Sequence, residues 1–498
     1  MSQRPVLLVN PRACSPRSVR LPLSLLALGA VLENRCPYQI LDGNLEPELD
    51  KAVLDLLSDK PHALVGMTVM PGPQVASSIA LAKAIRVVHP EVPIVWGGYF
   101  PTLYPDAAMN ADYVDFVVRG QGEDTLCELL NAVTDNGDFS AVAGLSWRDG
   151  EEVIHNNDRP FQPQLSYPRL PYEKLTNIEP YFRPSFMGSR TGVYQASLGC
   201  RYRCTFCGVV SMWNGSTLIG TADRMIEELT MQRDRYGATA IQLYDHNFFD
   251  REESSLPLVE ALATVGLPWW CYARADTMAN FSASTWEKIR RSRLSMAYIG
   301  AEAASDDVLR SMKKGSRVEH TLEVARRCRE NGVVPEFSFV LGGPNDPEGE
   351  IEKTFQFVKR IKKVHPECEV ILYFYTPTPR RSTDASPGGA RLPTMDGEGL
   401  SDLPSTPEEW TEKRWLDFVC HQDAPWLTER IRQRVRDFAF VLGCRFPTIQ
   451  DYQMPSWGRT LLRGMAGWRW ATGVYGQPTE LRWAAERLRL RSPQHESL

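Results

Sequence analysis

Three cysteines carry the clearest chemistry in this sequence. Cys200, Cys204 and Cys207 stand in the run GCRYRCTFCG, a C-x3-C-x2-C spacing that directly follows a predicted strand. Three thiolates so closely spaced can take three corners of a [4Fe–4S] cube and leave the fourth iron open to an exogenous chelator. Composition alone would produce the pattern only ~0.005 times in such a chain, so coincidence explains it poorly. The rival reading is a zinc knuckle, which needs a fourth Cys or His nearby; the nearest one downstream is His246. Eleven cysteines, an odd number with no regular framework, point to a reducing compartment in which some thiols serve as metal ligands.

A metal loop must be held by rigid strand ends. Six strands alternate with helices around and after the cysteines: GVYQASL (192–198), AIQLYD (240–245), WWCYARA (269–275), SMAYIGAE (295–302), EFSFVLGG (336–343) and EVILYFY (369–375). Six such units suffice for a partial (β/α)6 barrel, with chemistry at the C-terminal ends of its strands. Ahead of them, strands at 5–10, 38–42, 63–69, 93–98 and 115–120 alternate with helices near 21–33, 46–58, 74–88 and 123–133. That rhythm predicts an α/β domain of Rossmann-like or flavodoxin-like type. Gly43, Gly97, Gly98, Gly120 and Gly122 follow its strand ends, where missing side chains let a ligand approach the backbone. The expected organisation is a Rossmann-like domain over 1–135, a Pro-rich linker or wrapping segment over 136–190, the partial barrel over 191–385 and a helical C-terminal domain over 386–498.

With 43% hydrophobic and 23% charged residues over 498 positions, the chain reads as globular, neither disordered nor collagen-like. Its net charge of −5 gives no global pull toward nucleic acid. The apolar stretch LPLSLLALGAVL (21–32) is too short to cross a bilayer, and the opening MSQRPVLLVNPR is too poor in apolar residues for a secretory signal. A cytoplasmic enzyme is the expectation.

The cysteine loop, with Phe206 before its last cysteine and six βα units around it, resembles the radical S-adenosylmethionine (SAM) superfamily over about residues 185–380. The resemblance implies that the open iron chelates SAM through its amino and carboxylate groups. An electron from the reduced cluster would then break the sulfonium bond to give a 5′-deoxyadenosyl radical. Other strand ends are similar to family segments. YDHNFF (244–249) makes Asp245 and Asn247 candidates for the SAM or substrate wall, with a plain surface loop as the competing reading. GAEAAS (300–305) implies that Glu302 contacts SAM, although Ala303 lacks the hydroxyl many members have there. FVLGGPNDP (339–347) implies that Gly342, Gly343 and Pro344 lie by the adenosine, although the usual Glu-Thr after that proline is absent. Arg274 in YARAD would meet a carboxylate or form an ordinary ion pair, and Tyr244 and His246 are candidate general bases.

In the N-terminal part, PLSLLALGAVLE (22–33), ILDGN (40–44), VGMTVM (65–70), VWGGYFPTLYPD (95–106) and DFVVRGQGEDTLCELL (115–130) resemble, in this order, the cobalamin-binding class of these enzymes. The resemblance implies that Thr68, Gly97, Gly98, Gly120, Gly122 and Glu123 surround the corrin or its nucleotide tail. A catalytically idle Rossmann-like regulatory domain is the alternative. The lower-ligand motif D-x-H-x-x-G is missing: KPHALVG has Lys60 in place of Asp, and Phe100 stands where members often have His. Cobalamin is therefore expected to bind without a histidine of this domain below cobalt.

From Arg445 onward eight Arg face four acidic residues, with Trp457, Trp468, Trp470 and Trp483 interleaved. Such a tail either packs on the barrel or meets a membrane surface or a hydrophobic substrate. Nucleic acid is not expected as a partner. Methylthiotransferases that modify tRNA share the cluster motif but carry a further N-terminal cysteine triad, which Cys14, Cys36 and Cys127 do not form. The resemblance implies a B12-dependent radical SAM methyltransferase that methylates an unactivated carbon of a small molecule. It would use a [4Fe–4S] cluster, SAM, methylcobalamin and an external electron donor such as flavodoxin or ferredoxin. Two alternatives stay open: an oxidative cyclase or ring-remodelling enzyme without methyl transfer, and a non-catalytic cobalamin or redox sensor.

Overall fold

Short β-branched runs closed by glycine turns become parallel strands, because helices cover both faces of each sheet and only apolar side chains fit there. The computed structural model describes residues 4–487 apart from residues 136, 163–167, 344, 376–379, 382–389, 392–402, 421–425 and 452–454. The chain divides into two compact units. The first comprises Met1–Tyr181, Cys207–Gly220 and Pro377–Cys420, and the second Phe182–Phe206, Thr221–Thr376 and His421–Leu498.

The first unit starts with β1 (Val6–Asn10), α1 (Leu23–Leu32), β2 (Tyr38–Asp42), α2 (Leu49–Asp59), β3 (Leu64–Thr68) and α3 (Pro73–Val88). It continues through β4 (Ile94–Gly97), α4 (Tyr99–Leu103), α5 (Pro105–Met109), β5 (Phe116–Val118), α6 (Glu123–Asp135), β6 (Leu145–Asp149) and β7 (Glu152–His155). The sheet order is β2-β1-β3-β4-β5-β6-β7, with β1 to β5 parallel. An order of 2-1-3-4-5 is the flavodoxin-like form of the doubly wound fold. The 136–190 segment, expected to be an irregular linker, instead supplies the antiparallel hairpin β6–β7 that extends this sheet. Gly150 makes its turn at φ +60°, a conformation that glycine adopts freely.

In chain order the second unit follows with β8 (Arg183–Ser185), β9 (Gly188–Tyr194) and β10 (Ser197–Gly199), before α7 (Gly208–Trp213) and β11 (Thr217–Ile219) return to the first. Next come α8 (Ala222–Tyr236), β12 (Ala240–Leu243), α9 (Glu252–Val265), β13 (Trp269–Arg274), α10 (Ala275–Ala279), α11 (Ala283–Arg291) and β14 (Leu294–Glu302). The alternation ends with α12 (Asp306–Ser311), α13 (Val318–Asn331), β15 (Val334–Leu341), α14 (Pro347–Val364) and β16 (Glu369–Phe374). These strands form a sheet in the order β16-β15-β14-β13-β12-β9-β8, in which the six expected strands run parallel and β8 is an antiparallel edge.

The C-terminal region is helical, as expected, and its residues divide between the two units. Trp410 and α15 (Lys413–Val419) belong to the first unit, and the Trp410 ring lies 4.1 Å from that of Tyr104 and 6.0 Å from that of Phe100. The helices α16 (Glu429–Arg445), α17 (Ser456–Thr472) and α18 (Thr479–Arg487) belong to the second. Trp470 packs among Phe438, Phe446 and Tyr475, whereas Trp457, Trp468 and Trp483 are exposed. Among the described residues no helix is long and apolar enough to cross a membrane.

Candidate functional site

The loop that begins at Gly199 is fastened at four places to segments that follow strands β12, β13 and β14 of the second sheet. Gly199, at φ +77°, donates its N–H to Nδ1 of His246 at 3.2 Å. Arg201 Nε donates to Asp250 Oδ1 at 3.2 Å, the Tyr202 hydroxyl lies 3.4 Å from Thr277 Oγ1, and the Thr205 N–H donates to the Met312 carbonyl at 2.9 Å. Cys204 is buried and Cys200 partly exposed, and none of the eleven cysteines is in a disulfide. Among the described residues no three His, Cys, Asp or Glu side chains are gathered as a ready metal cage. The fit to an iron–sulfur cluster therefore lies in the donor set: three cysteine sulfurs on one short loop, with a guanidinium against one of them.

That guanidinium belongs to Arg274, for which the sequence leaves two readings, a ligand carboxylate and an ordinary ion pair. The ion pair is what the structure shows: Arg274 is bonded to both carboxylate oxygens of Asp276 at 3.0 and 2.9 Å, to the Lys314 carbonyl and to Cys204 Sγ at 3.6 Å. Asp245, expected on the ligand wall, is fully buried. Its carboxylate accepts from the Ser197 hydroxyl at 2.5 Å and the Ala196 N–H at 3.1 Å, and burial pushes the group up to about 6. It shapes the turn leading into the cysteine loop rather than facing a ligand. Asn247 differs: it is buried, and its Oδ1 has no hydrogen-bond partner, as an atom awaiting a ligand would. His246 keeps an exposed edge, yet the protein around it lowers the imidazole to about 4, which leaves it neutral and weakly basic. Tyr244 donates its backbone N–H to the Tyr194 carbonyl, and its own carbonyl accepts from Gln195.

Glu302 ends β14 at φ +62° and pairs with Lys314, Nζ to Oε1 at 2.6 Å. Both side chains are almost inaccessible. A methyl group added at Gly300 would strike the Glu302 carboxylate and lie 2.6 Å from Lys314 Nζ, which explains the glycine. Gly342 sits at φ +75° with its carbonyl accepting from the Trp426 indole at 2.7 Å, and the space a side chain would take is filled by Leu427. Helix-flanking residues of this unit thus already cover the Gly342 backbone expected to face adenosine. Gly343 is buried beside it, and Pro344 lies outside the described residues.

In the first unit the expected cobalamin residues lie at the C-terminal ends of β3, β4 and β5. Gly98, at φ +94°, has Thr68 Oγ1 only 3.0 Å from where a methyl group would stand. Gly97 and Gly120 are partly exposed, and no atom comes closer than 3.8 and 3.9 Å to such a group, so their backbone is bare enough for a ligand to approach. Gly122 opens α6, accepting from the Leu126 N–H at 2.8 Å, and Glu123 follows with its carboxyl pushed up to about 6 by burial. At the β1/β3 switch point the edge is closed by Gln74, which donates to Asn10 Oδ1 and the Pro11 carbonyl at 2.7 Å each and accepts from Met70 N–H at 2.8 Å. His62 lies at the opposite, N-terminal end of β3, with Nδ1 facing the Lys60 carbonyl, away from this edge. In the same unit, the Tyr99 hydroxyl stands against Gly208, where any side chain would collide with it.

Two residues that matter here were not expected. Thr102, fully buried, donates its hydroxyl to the Gly98 carbonyl at 2.6 Å and accepts from the Gly120 N–H at 3.0 Å, so one oxygen ties the two glycine turns together. Its signal was the Gly-Gly-x-x-x-Thr spacing itself. Lys314, in MKKG after α12, carried no such signal, because its partner, Glu302, stands twelve positions earlier at the end of β14.

A family model described as the radical SAM superfamily matches residues 194–358, and one described as the B12-binding domain matches residues 15–130. An uncharacterized methyltransferase of Pyrococcus horikoshii is 24% identical over 347 residues, which is 68% of this chain and 73% of that protein. The anaerobic magnesium-protoporphyrin IX monomethyl ester cyclase of a Synechocystis species is 25% identical over 377 residues, 74% of this chain and 72% of its own. The same fold is found in the radical S-adenosylmethionine methyltransferase TsrM from Kitasatospora setae, solved with tryptophan substrate and a SAM analogue. It superposes with a TM-score of 0.67 at 18% identity over 98% of this chain and 99% of that one. With a B12-binding domain ahead of a radical SAM domain, the chain belongs to the cobalamin-binding radical SAM family.

Proposed function

We propose that this protein is a cobalamin-dependent radical SAM methyltransferase that methylates an unactivated carbon of a small organic substrate. The observation that carries the reading is the cysteine loop, fastened to the segments that follow β12, β13 and β14, three of the six parallel strands of the second sheet, in a chain whose other sheet ends in bare glycine turns. Cys200, Cys204 and Cys207 would hold a [4Fe–4S] cluster. Thr68, Gly97, Gly98, Gly120, Gly122 and Glu123 would border cobalamin, and Asn247, Glu302 and Gly343 would border SAM. When bound, these groups supply an electron to cleave the SAM sulfonium bond and a methyl group for transfer. The chain's own task is placement. Arg201, Tyr202 and Thr205 keep the cysteine loop on its strand ends, the Lys314 pair keeps Glu302 in place, and Thr102 keeps the two glycine turns in register.

The relatives named as methyltransferases support methyl transfer, and the similarity to the Synechocystis cyclase over 74% of the chain supports cyclisation as the second reading. Anaerobically reconstituted protein supplied with cobalamin, a one-electron reductant and SAM distinguishes them. The methyltransferase reading expects both 5′-deoxyadenosine and S-adenosylhomocysteine. The deoxynucleoside without S-adenosylhomocysteine selects the cyclase, and neither product overturns both.

In this reading the electron for SAM cleavage would come from an external donor of the flavodoxin or ferredoxin type. A peripheral membrane contact is supported by Trp457, Leu461 and Trp468, which share one exposed face of α17. Co-sedimentation with anionic vesicles, lost in a W457S/W468S variant, is the expected result; equal sedimentation of both proteins contradicts it.

A further inference from the structure

Arg274 is buried at the end of β13, and its N–H groups reach more partners than a simple ion pair requires. Nε and one Nη2 hydrogen satisfy Asp276, and Nη2 also serves the Lys314 carbonyl. Nη1 points the other way, to Cys204 Sγ at 3.6 Å. The guanidinium lies face-on over Tyr202, 3.4 Å from the ring centroid, so the residue two places before Cys204 forms one wall of its slot. The Lys314 ammonium, 2.6 Å from Glu302, also faces this loop, 5.8 Å from the Phe206 ring centroid, but it is Arg274 whose N–H reaches the Cys204 sulfur itself.

We infer that Arg274 is a positioning residue that fixes the Cys204 sulfur and raises the reduction potential of the cluster bound by Cys200, Cys204 and Cys207. The inference rests on the proposed cluster. One-electron reduction adds negative charge to the cube and its sulfurs, and an N–H donor or cation beside a ligating sulfur stabilises the more negative state. Asp276 opposes the effect, because its carboxylate cancels part of the guanidinium charge at 2.9 Å. The potential is thus set by the pair: Arg274 pulls it up and Asp276 holds it down. A lysine keeps the charge but cannot stack on Tyr202 while reaching Asp276, the Lys314 carbonyl and Cys204 together, so it replaces only part of this function.

The test is a mediated redox titration of the full chain, reconstituted anaerobically without SAM, with dithionite as electron source and the reduced cluster followed by electron paramagnetic resonance. R274Q is expected to lower the ratio of reduced to oxidised cluster about tenfold at a fixed potential, a negative shift of about 59 mV for one electron. D276N is expected to shift the midpoint the opposite way, and R274K to fall between R274Q and wild type. A merely structural role cannot give shifts of opposite sign in the two members of one ion pair. Any iron-loaded variant of the three that titrates at the wild-type potential overturns the inference, and D276N alone decides if R274Q loses its iron. A wild-type protein that takes up no iron overturns the cluster reading itself, which is a separate result.

Discussion

Removing one charge from the Glu302–Lys314 pair should do more harm than removing both. The two side chains are 7% and 6% exposed, so K314M leaves a carboxylate buried without its partner, at an expected cost of about 3–5 kcal/mol. The double variant E302Q/K314M should recover much of that in denaturant titrations, since two neutral groups need no counter-charge. Glu336 poses a different electrostatic problem. It stands beside Glu369 in the register of β15 and β16, and Gln450 Nε2 donates to both carboxylates at 3.1 and 2.8 Å. Burial, reinforced by Glu369, pushes the Glu336 carboxyl up to about 8. A carboxyl whose pKa rises on folding favours the native state below its ordinary value of 4.5, and that contribution is lost as pH rises through about 8. Melting temperature should therefore fall between these pH values, and E336Q should flatten the fall, with a gain of up to a few kcal/mol at the alkaline end. At this scale the sequence revealed the cysteines because three rare residues lie within one loop. The work of Arg274 and Asp245 was hidden: each touches a partner some fifty to seventy positions away, and only the fold shows whether a polar side chain at a strand end turns toward a ligand or back into the protein.

Thr102 joins two elements, the turn after β4 and the turn after β5, through a single buried oxygen. Replacing it with valine, nearly the same in shape, leaves the Gly120 N–H and the Gly98 carbonyl without that partner, at an expected cost of about 1–3 kcal/mol. T102V should also weaken cobalamin uptake in a spectroscopic titration, whereas T102S, which keeps the hydroxyl, should retain it. An unchanged affinity in T102V would show that the bridge does not shape that edge. The strands of both sheets were legible because buried parallel strands are short, nearly continuous apolar runs, such as VLLV in β1 and AIQL in β12. The hairpin β6–β7 was not, since its second strand has no buried residue and its neighbourhood is rich in proline. The local signal was present all the same, in the Asp149-Gly150 turn.

Across the whole molecule the chain crosses between its two units several times, and no local pattern announces those crossings. Residues 403–420 looked like the entry to a separate helical domain, yet they complete the core of the first unit, where Trp410 meets Tyr104, Phe100 and Trp415. W410A should therefore destabilise the B12-binding unit by about 3–5 kcal/mol despite its distance in sequence, visible as a lowered calorimetric transition and reduced corrinoid retention. In this reading one polypeptide carries both an iron–sulfur cluster and cobalamin, which elemental and corrinoid analysis of anaerobically purified protein decides. The expected result is about four iron and four sulfide per chain, lost on Cys→Ala substitution at position 200, 204 or 207, together with one corrinoid. Zinc in place of iron, or a chain that binds neither iron nor corrinoid, would contradict it.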